Sequence, residues 1–301
     1  MGNKNSGKRV YKINKYFFKN WNSQMAYIFG FSCADGNVHE RTLAWELSNK
    51  HLSNFDLLKS FSVAMDSNYS VELRQNSYRL RVSDSNILDD IKQLGIIPNK
   101  SKVLIYPIIP KKHLSHFLRG FLDGDGWVVT RIRENGGKEI CVGFCNGSLK
   151  FMQGLISSLK EELLLKNFNL RKRVKITKKG KESLCYQLEF YSESANKILN
   201  FLYSSLNKDD LFLKRKYEKF LEAKNLFSEQ EKRKSFGRVE FRLTNNYKKG
   251  LRETIETFLF EDKMIPREIA LKLGISLSTL YRWMDKYGIR KFVPRGSKEW
   301  S

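Results

Sequence analysis

One short motif occurs twice in this chain, and that repeat limits the possible folds more than any other feature. The segment AYIFGFSCADGNV surrounds Asp35, and the segment HFLRGFLDGDGWV surrounds Asp125. Both contain an apolar residue, any residue, Gly-Phe, three further residues and Asp-Gly. A motif that recurs in this way predicts two copies of one structural unit.

The sequence after each motif follows the same order. After Asp35, stretches that alternate with period two (TLAWELS, YSVELRQNSYRLRVS) are interleaved with helical patterns (SNFDLLKSFSVAM, SNILDDIKQLG). After Asp125 the order recurs, with hairpin turns at Asn135-Gly136 and near Lys179-Gly180. We therefore predict an α+β fold of two pseudo-symmetric αββαββα repeats.

The domain boundaries follow from this pattern. We expect a first repeat at 20–106, a second at 107–226, a polar linker at 227–249 and a small all-α module at 250–293.

The net charge indicates an anionic partner. The chain has 55 Lys and Arg against 32 Asp and Glu, which leaves a formal charge of +23. Such an excess predicts binding to nucleic acid or to an anionic surface. No apolar run approaches the ~20 residues of a membrane span, and the N-terminal sequence lacks the apolar segment of a secretion signal. We expect a cytoplasmic protein, in a bacterial, phage or organellar interior, with no membrane partner.

The motifs Ile28–Gly36 and Leu118–Gly126 resemble those of the LAGLIDADG homing endonucleases, and the likeness extends over about residues 20–225. The resemblance implies a monomeric, single-chain endonuclease with saddle-like antiparallel sheets. It implies site-specific cleavage of both strands of double-stranded DNA across the minor groove, at a long target site. The start at Met1 and the lack of splicing-junction blocks lead us to expect a free-standing or intron-encoded protein.

Physical chemistry gives the motif a reason. Small residues would let the two motif helices approach closely, namely Gly30, Ala34, Gly120 and Gly124. Both helices would then end together, each with an aspartate in its last turn. A carboxylate at a helix C-terminus is unfavourable by ~0.3–1 kcal/mol, and a pair of them repels, so a cation is the expected partner. The resemblance implies that Asp35 and Asp125 bind Mg²⁺, for which Mn²⁺ substitutes.

Three further residues follow from the resemblance. Basic residues from each half are expected near the metal, and Lys100 and Lys216 are the candidates, polarising the attacking water or stabilising charge at the phosphate. Cys33 departs from the family, which has an acid there, as the second motif has in Asp123. That acid supports the helix end, so the change concerns packing more than catalysis.

Hairpins of this kind can enter the major groove of DNA, where each base pair has a distinct pattern of donors and acceptors. The expected DNA contacts are Arg74, Gln75, Arg79 and Arg81 on the second hairpin, Arg131 and Arg133 on the third, and Lys172, Lys175, Thr177, Lys178 and Lys179 on the fourth.

Residues 265–283 resemble a helix-turn-helix. Ala270 allows a close helix crossing and Gly274 forms the turn. The expected core is Ile269, Leu273, Ile275, Leu280 and Trp283. The expected recognition positions are Ser278, Thr279, Tyr281 and Arg282.

Two other functions stay open at this point. One is a transcription regulator that binds DNA through similar repeats and a helix-turn-helix without cutting it, although the presence of both Asp35 and Asp125 argues against this. The other is an intron RNA maturase.

Overall fold

The structure is a computed structural model that describes residues 11–132, 138–165, 167–176, 182–236 and 238–289. It divides into two compact units, Met1–Phe227 and Ser228–Ser301. Each unit has its own cluster of buried apolar side chains. Among the described residues, no helix is both long enough and apolar enough to cross a membrane.

The first half of the larger unit has the predicted order. Its elements are α1 (Ser23–Asp35), β1 (Gly36–His39), β2 (Thr42–Ser48), α2 (Leu52–Ala64), β3 (Glu72–Leu73), β4 (Ser77–Val82) and α3 (Ser85–Gln93). The strands form one antiparallel sheet in the order β1-β2-β4-β3. The chain leaves α3 through Gly95, whose φ of +97° favours glycine.

The second half repeats this arrangement. Its elements are α4 (Leu114–Asp125), β5 (Trp127–Ile132), β6 (Lys138–Asn146), α5 (Leu149–Leu163), β7 (Asn169–Ile176), β8 (Glu182–Tyr191) and α6 (Ser192–Tyr203). The sheet order is β5-β6-β8-β7, also antiparallel. A long helix, α7 (Lys214–Phe236), follows. The prediction of two αββαββα repeats is confirmed, while the hairpin turns at Asn135-Gly136 and Lys179-Gly180 lie outside the described residues.

The two motif helices, α1 and α4, pack directly on each other through their glycines. A Cβ at Gly30 would lie 2.0 Å from the Phe117 carbonyl oxygen, and a Cβ at Gly120 would lie 2.0 Å from that of Tyr27. Real Cβ atoms do not approach backbone so closely, so both positions require glycine. The close contact predicted from the motif is therefore present, and it brings the ends of α1 and α4 together.

Each sheet buries one face and leaves the other open. On β4, Leu80 and Val82 are fully buried, whereas the alternate residue Arg81 is exposed. Side chains alternate between the two faces of a strand, so Arg79 and Arg81 share the open face. The second sheet follows the same rule, with Leu188 and Phe190 of β8 in the core.

The smaller unit is helical. It contains α8 (Arg238–Tyr247), α9 (Leu251–Glu256), a π-helical turn (Thr257–Glu261), α10 (Pro266–Leu273) and α11 (Leu277–Lys286). Leu243 of α8 belongs to its core. Prediction of a linker over 227–249 missed these helices, because burial of a few residues such as Leu243 stabilises a segment whose overall composition is polar.

Candidate active site

Asp35 and Asp125 occupy the last positions of α1 and α4. The ends of the helices touch, since a Cβ at Gly124 would lie 2.4 Å from Ala34 Cβ and 3.6 Å from the Asp35 nitrogen. Burial raises the pKa of both carboxyls. For Asp125 the charge of Asp35 adds to burial, and the pKa reaches about 6. Two raised carboxyl pKa values at adjoining helix ends mean that both ionised carboxylates together are costly here.

Lys100 approaches the end of α1 from the short 3₁₀ turn Lys100–Lys102. Its buried ammonium donates hydrogen bonds to the carbonyl oxygens of Ala34 (3.2 Å) and Gly36 (2.6 Å). Burial lowers its pKa, which Cys33 and the two motif aspartates raise. The positive charge thus lies at the negative end of the helix dipole.

Lys216 does the same for α4. It lies in the first turn of α7, and its buried ammonium donates to the carbonyl oxygens of Asp123 (2.8 Å), Gly126 (2.7 Å) and Leu122. Because an ammonium has three N–H groups, all its donors are used. Burial lowers the pKa of Lys216 to about 8, against the opposite effect of Asp123.

Asp123 connects the helix end to the rest of the unit. Its carboxylate accepts hydrogen bonds from the hydroxyls of Tyr27 (2.6 Å) and Tyr203 (2.8 Å) and from the Leu213 backbone N–H (2.8 Å). Tyr27 lies on α1, so this acid joins the two halves. At Cys33, the corresponding position of α1, the thiol is buried and burial raises its pKa. The sequence did not identify the two tyrosine partners, although a buried acid requires donors.

Arg119 is a second residue whose role the sequence did not reveal. Its buried guanidinium donates to the carbonyl oxygens of Leu202 (2.8 Å) and Leu211 (2.9 Å), and lies 3.8 Å from the Asp210 carboxylate. It therefore fixes α4 to the end of α6 and to the segment before α7. The available signal was a charged residue inside an otherwise apolar motif helix.

The donor set fits a divalent cation such as Mg²⁺. Mg²⁺ is usually bound by one or two carboxylates, with water and phosphate oxygens completing the shell. Asp35 and Asp125 provide such a pair. The described residues contain no cluster of three or more His, Cys, Asp or Glu suited to a metal held by protein ligands alone.

On the first sheet, Arg79 and Arg81 lie on the open face, as expected of base contacts. Arg74 and Gln75 lie beyond β3, in the connection to β4. Arg74 donates to the Glu72 carboxylate at 2.8 Å, so part of its charge is already paired.

On the second sheet, the outcome depends on which face each residue occupies. Arg131 pairs across the ladder with Glu139, on the open face. Lys172 pairs with Tyr186, which packs against the core, so its register position is on the opposite face. Arg171 and Arg173, which the sequence analysis passed over, occupy the open face instead.

The other predicted contacts of the second sheet belong to its two hairpins, β5–β6 and β7–β8. Arg133, Thr177, Lys178 and Lys179 lie outside the described residues, and for Lys175 only the backbone is described.

In the smaller unit, Gly274 makes the predicted turn with φ +64°. Of the predicted core, Ile275 is partly buried and the other four residues are buried. Ser278 and Arg282 are exposed, and Tyr281 packs partly against the core. Ser276 caps α11, and its hydroxyl hydrogen bonds with that of Thr279 at 2.8 Å.

Residues 113–202, from the residue before α4 through almost all of α6, match the family model of a LAGLIDADG-like domain. The second repeat is thus a LAGLIDADG-like domain, and the resemblance predicted from its motif is confirmed there. No curated protein sequence matches the chain.

Solved structures of similar fold include three LAGLIDADG proteins. The homing endonuclease I-GzeII in complex with its DNA target is 13% identical, with 76% of this chain and 95% of that chain covered and a TM-score of 0.48. The meganuclease I-AabMI bound to uncleaved DNA is 12% identical, with coverages of 71% and 92% and a TM-score of 0.48. The homing endonuclease I-LtrWI bound to target DNA is 13% identical, with coverages of 73% and 92% and a TM-score of 0.45.

Proposed function

We propose that this chain is a site-specific double-strand DNA endonuclease that hydrolyses phosphodiesters with a divalent metal. The observation that carries the proposal is the junction of α1 and α4, where two partly buried carboxyls meet at two helix ends. Such an arrangement is costly without a cation. The LAGLIDADG-like domain at 113–202 supports the same function.

Asp35 and Asp125 would hold Mg²⁺, which when bound activates water and stabilises the leaving oxygen of a phosphodiester. Around them the lysines have unequal roles. Lys216 uses all three donors on backbone, so it holds the end of α4 in place. Lys100 has two backbone acceptors among the described residues, which leaves one N–H for a phosphate oxygen or for water.

The open faces of the two sheets supply the DNA surface. Antiparallel strands fit the major groove, and both faces carry arginine, with Arg81 on the first sheet and Arg171 and Arg173 on the second. The helix pair α10–α11 adds a separate contact through Ser278 and Arg282. One chain contains both sheets, so the protein would act as a monomer.

The substrate for the test is the DNA that flanks the gene, joined without the gene between its two sides. Cleavage of this DNA is measured in Mg²⁺ or Mn²⁺. We expect Asp35→Asn and Asp125→Asn to abolish cleavage while DNA binding persists. Asp209→Asn, the same change at an exposed position, is the matched control and should cut normally. Cleavage by either motif variant at the wild-type rate would disprove the assignment. Binding without cleavage by the wild type would instead indicate a regulator, and selective binding of intron RNA would indicate a maturase.

A further inference from the structure

The open face of the first sheet carries an acid where phosphate binding alone would call for none. Glu46 of β2 pairs across the ladder with Arg79 of β4, near the middle of the sheet. A carboxylate on a surface that approaches DNA repels the phosphates, so Glu46 weakens binding unless it contacts a base.

The contacts of Glu46 keep one oxygen available. The Ser77 hydroxyl donates to Glu46 Oε1 at 2.6 Å, which orients the carboxylate. Glu46 Oε2 lies 3.9 Å from Arg79 Nε, which is an ion pair but too long for a hydrogen bond. The side chain is 52% exposed, so this second oxygen can accept a hydrogen bond from a ligand.

The Arg79 side chain is mostly covered by its surroundings, and its Nε is buried. Its side chain is only 27% exposed, and its Nε has no hydrogen-bond partner within the described part of the chain. Arg74 differs, because its guanidinium closes a 2.8 Å bond to Glu72. Glu46 therefore presents an oriented, accessible acceptor. Arg79 lies beside it with its Nε buried, so the terminal NH groups of its guanidinium are the donors that a ligand can reach.

The major-groove edge of one base pair has the complementary pattern. Cytosine presents its N4 amino donor, and its paired guanine presents the O6 and N7 acceptors beside it. Carboxylates accept from cytosine N4, and arginine donates to guanine O6 and N7. An A·T pair offers the thymine O4 acceptor beside the adenine amino group, a poorer match to a forked guanidinium.

We propose that Glu46 and Arg79 together read one C·G base pair, with Glu46 accepting from the cytosine amino group and Arg79 donating to guanine. This proposal rests on the proposed function, because it requires the first sheet to enter the major groove. It makes Glu46 a specificity-determining residue at a single position of the target.

The experiment is selection from a library of randomised double-stranded oligonucleotides in chelator, where the protein binds without cutting. Wild type should enrich C·G at one position by about tenfold over other pairs, within the usual range for one good base contact. Glu46→Ala should bring that position to within about twofold of random, and other positions should keep their preferences. Glu46→Gln should shift the same position toward adenine, since glutamine pairs with adenine N6 and N7.

Glu193→Gln is the charge control, because Glu193 lies on α6, outside both sheets, with its side chain 73% exposed. It should leave every preference unchanged. The proposal is overturned if the Glu46 variants, melting like wild type, select the wild-type sequence at every position, or if Glu193→Gln alters the same position. If the wild type enriches no sequence at all, the proposed function itself fails. That result differs from the failure of the Glu46–Arg79 proposal, in which the wild type still selects a sequence.

Discussion

At the scale of single residues, the two motif aspartates lie where ionisation of their carboxyls is costly. Asp35 and Asp125 are removed from water, and the charge of one raises the pKa of the other. Lys100 and Lys216 oppose this rise, but their own donors are largely used on helix carbonyls. Ionisation of the two carboxyls therefore stays costly, and a bound cation would relieve that cost.

The first prediction concerns stability without metal. The pKa of Asp125 is raised from near 4 to about 6, so the folded state holds its proton more tightly than the unfolded state. Its ionisation therefore destabilises the fold as pH rises from about 4 to 6, and the full penalty, at most about 3 kcal/mol, applies above 6. In chelator, the stability advantage of Asp125→Asn over wild type should be complete at pH 8 and about a third as large at pH 4.5.

Thermal unfolding of both proteins across this pH range is the measurement. Asp209→Asn, at an exposed site, should follow wild type at every pH. An Asp125→Asn advantage that is equal at pH 4.5 and pH 8 would show that ionisation of this carboxyl is not its source.

The second prediction separates the two lysines. Lys216→Met keeps the apolar stem but leaves three carbonyl oxygens without their donor, so we expect a loss of about 3 kcal/mol. Lys100→Met leaves two and should cost less. Lys214→Met, two residues earlier on α7 and exposed, should change stability by less than about 0.5 kcal/mol. Urea unfolding in chelator measures all three, and equal losses for Lys216→Met and Lys214→Met would remove the proposed role of Lys216.

At the scale of elements, the sequence was sufficient to predict the order of helices and strands, because each period-two or period-3.6 pattern has a buried face. It also predicted the crossing of α1 and α4, since only glycine permits the observed approach. It did not identify the helices of 227–249, where the sequence is mostly polar and charged. The faces of β7 were overlooked although the strand carries a pattern. Leu170, Val174 and Ile176 alternate with period two, and Lys172 lies on their face, while Arg171 and Arg173 lie on the other.

The third prediction tests that assignment on β7. Arg171 and Arg173 share the open face, while Lys172, between them, points to the other. We expect the double change of both arginines to alanine to weaken binding of the mapped target at least tenfold, as loss of base or phosphate contacts requires. Lys172→Ala should stay within about threefold of wild type. Titration of the target DNA at fixed salt measures the affinities. If Lys172→Ala loses as much affinity as the double variant, the assigned faces of β7 are contradicted.

The fourth prediction concerns the helix crossing. Gly120→Ala places a methyl group against the Tyr27 carbonyl, and backbone cannot move aside as a flexible side chain does. The helices must separate, at a cost of about 3 kcal/mol or more, and the aspartates separate with them. Gly250→Ala is the control, because nothing lies within 4 Å of its Cβ. For Gly120→Ala, the free energy of unfolding measured in denaturant and the rate of DNA cleavage should both fall. Wild-type values for both would show that the helix crossing tolerates a side chain.

At the scale of the whole molecule, the chain consists of two units with separate cores, and the catalytic residues all belong to the larger one. The division falls at Phe227–Ser228, earlier than the module predicted at 250–293. A fragment that begins at residue 250 would omit Leu243, which is 3% exposed in the core of the smaller unit. Loss of a buried leucine costs about 2–5 kcal/mol, a large part of the stability of a small helical domain.

The last prediction follows from this division. A fragment of residues 238–301 should fold and melt cooperatively, and a fragment of 250–301 should be much less stable. A chain that ends after residue 236 keeps α7 complete, with Lys216 and Phe220 in place, so it should cut the target at the wild-type phosphates when protein is in excess. Its affinity should be lower and its footprint shorter on one side only, because the smaller unit is present once and adds its contacts at high effective concentration.

Arg282→Ala in the full chain should reproduce part of that loss of affinity, roughly 1–3 kcal/mol if it contacts a base. Footprinting and cleavage mapping of the full chain, the chain that ends after residue 236 and Arg282→Ala on one target measure these effects. A full-length footprint from the shortened chain would show that α10 and α11 bind something other than this DNA.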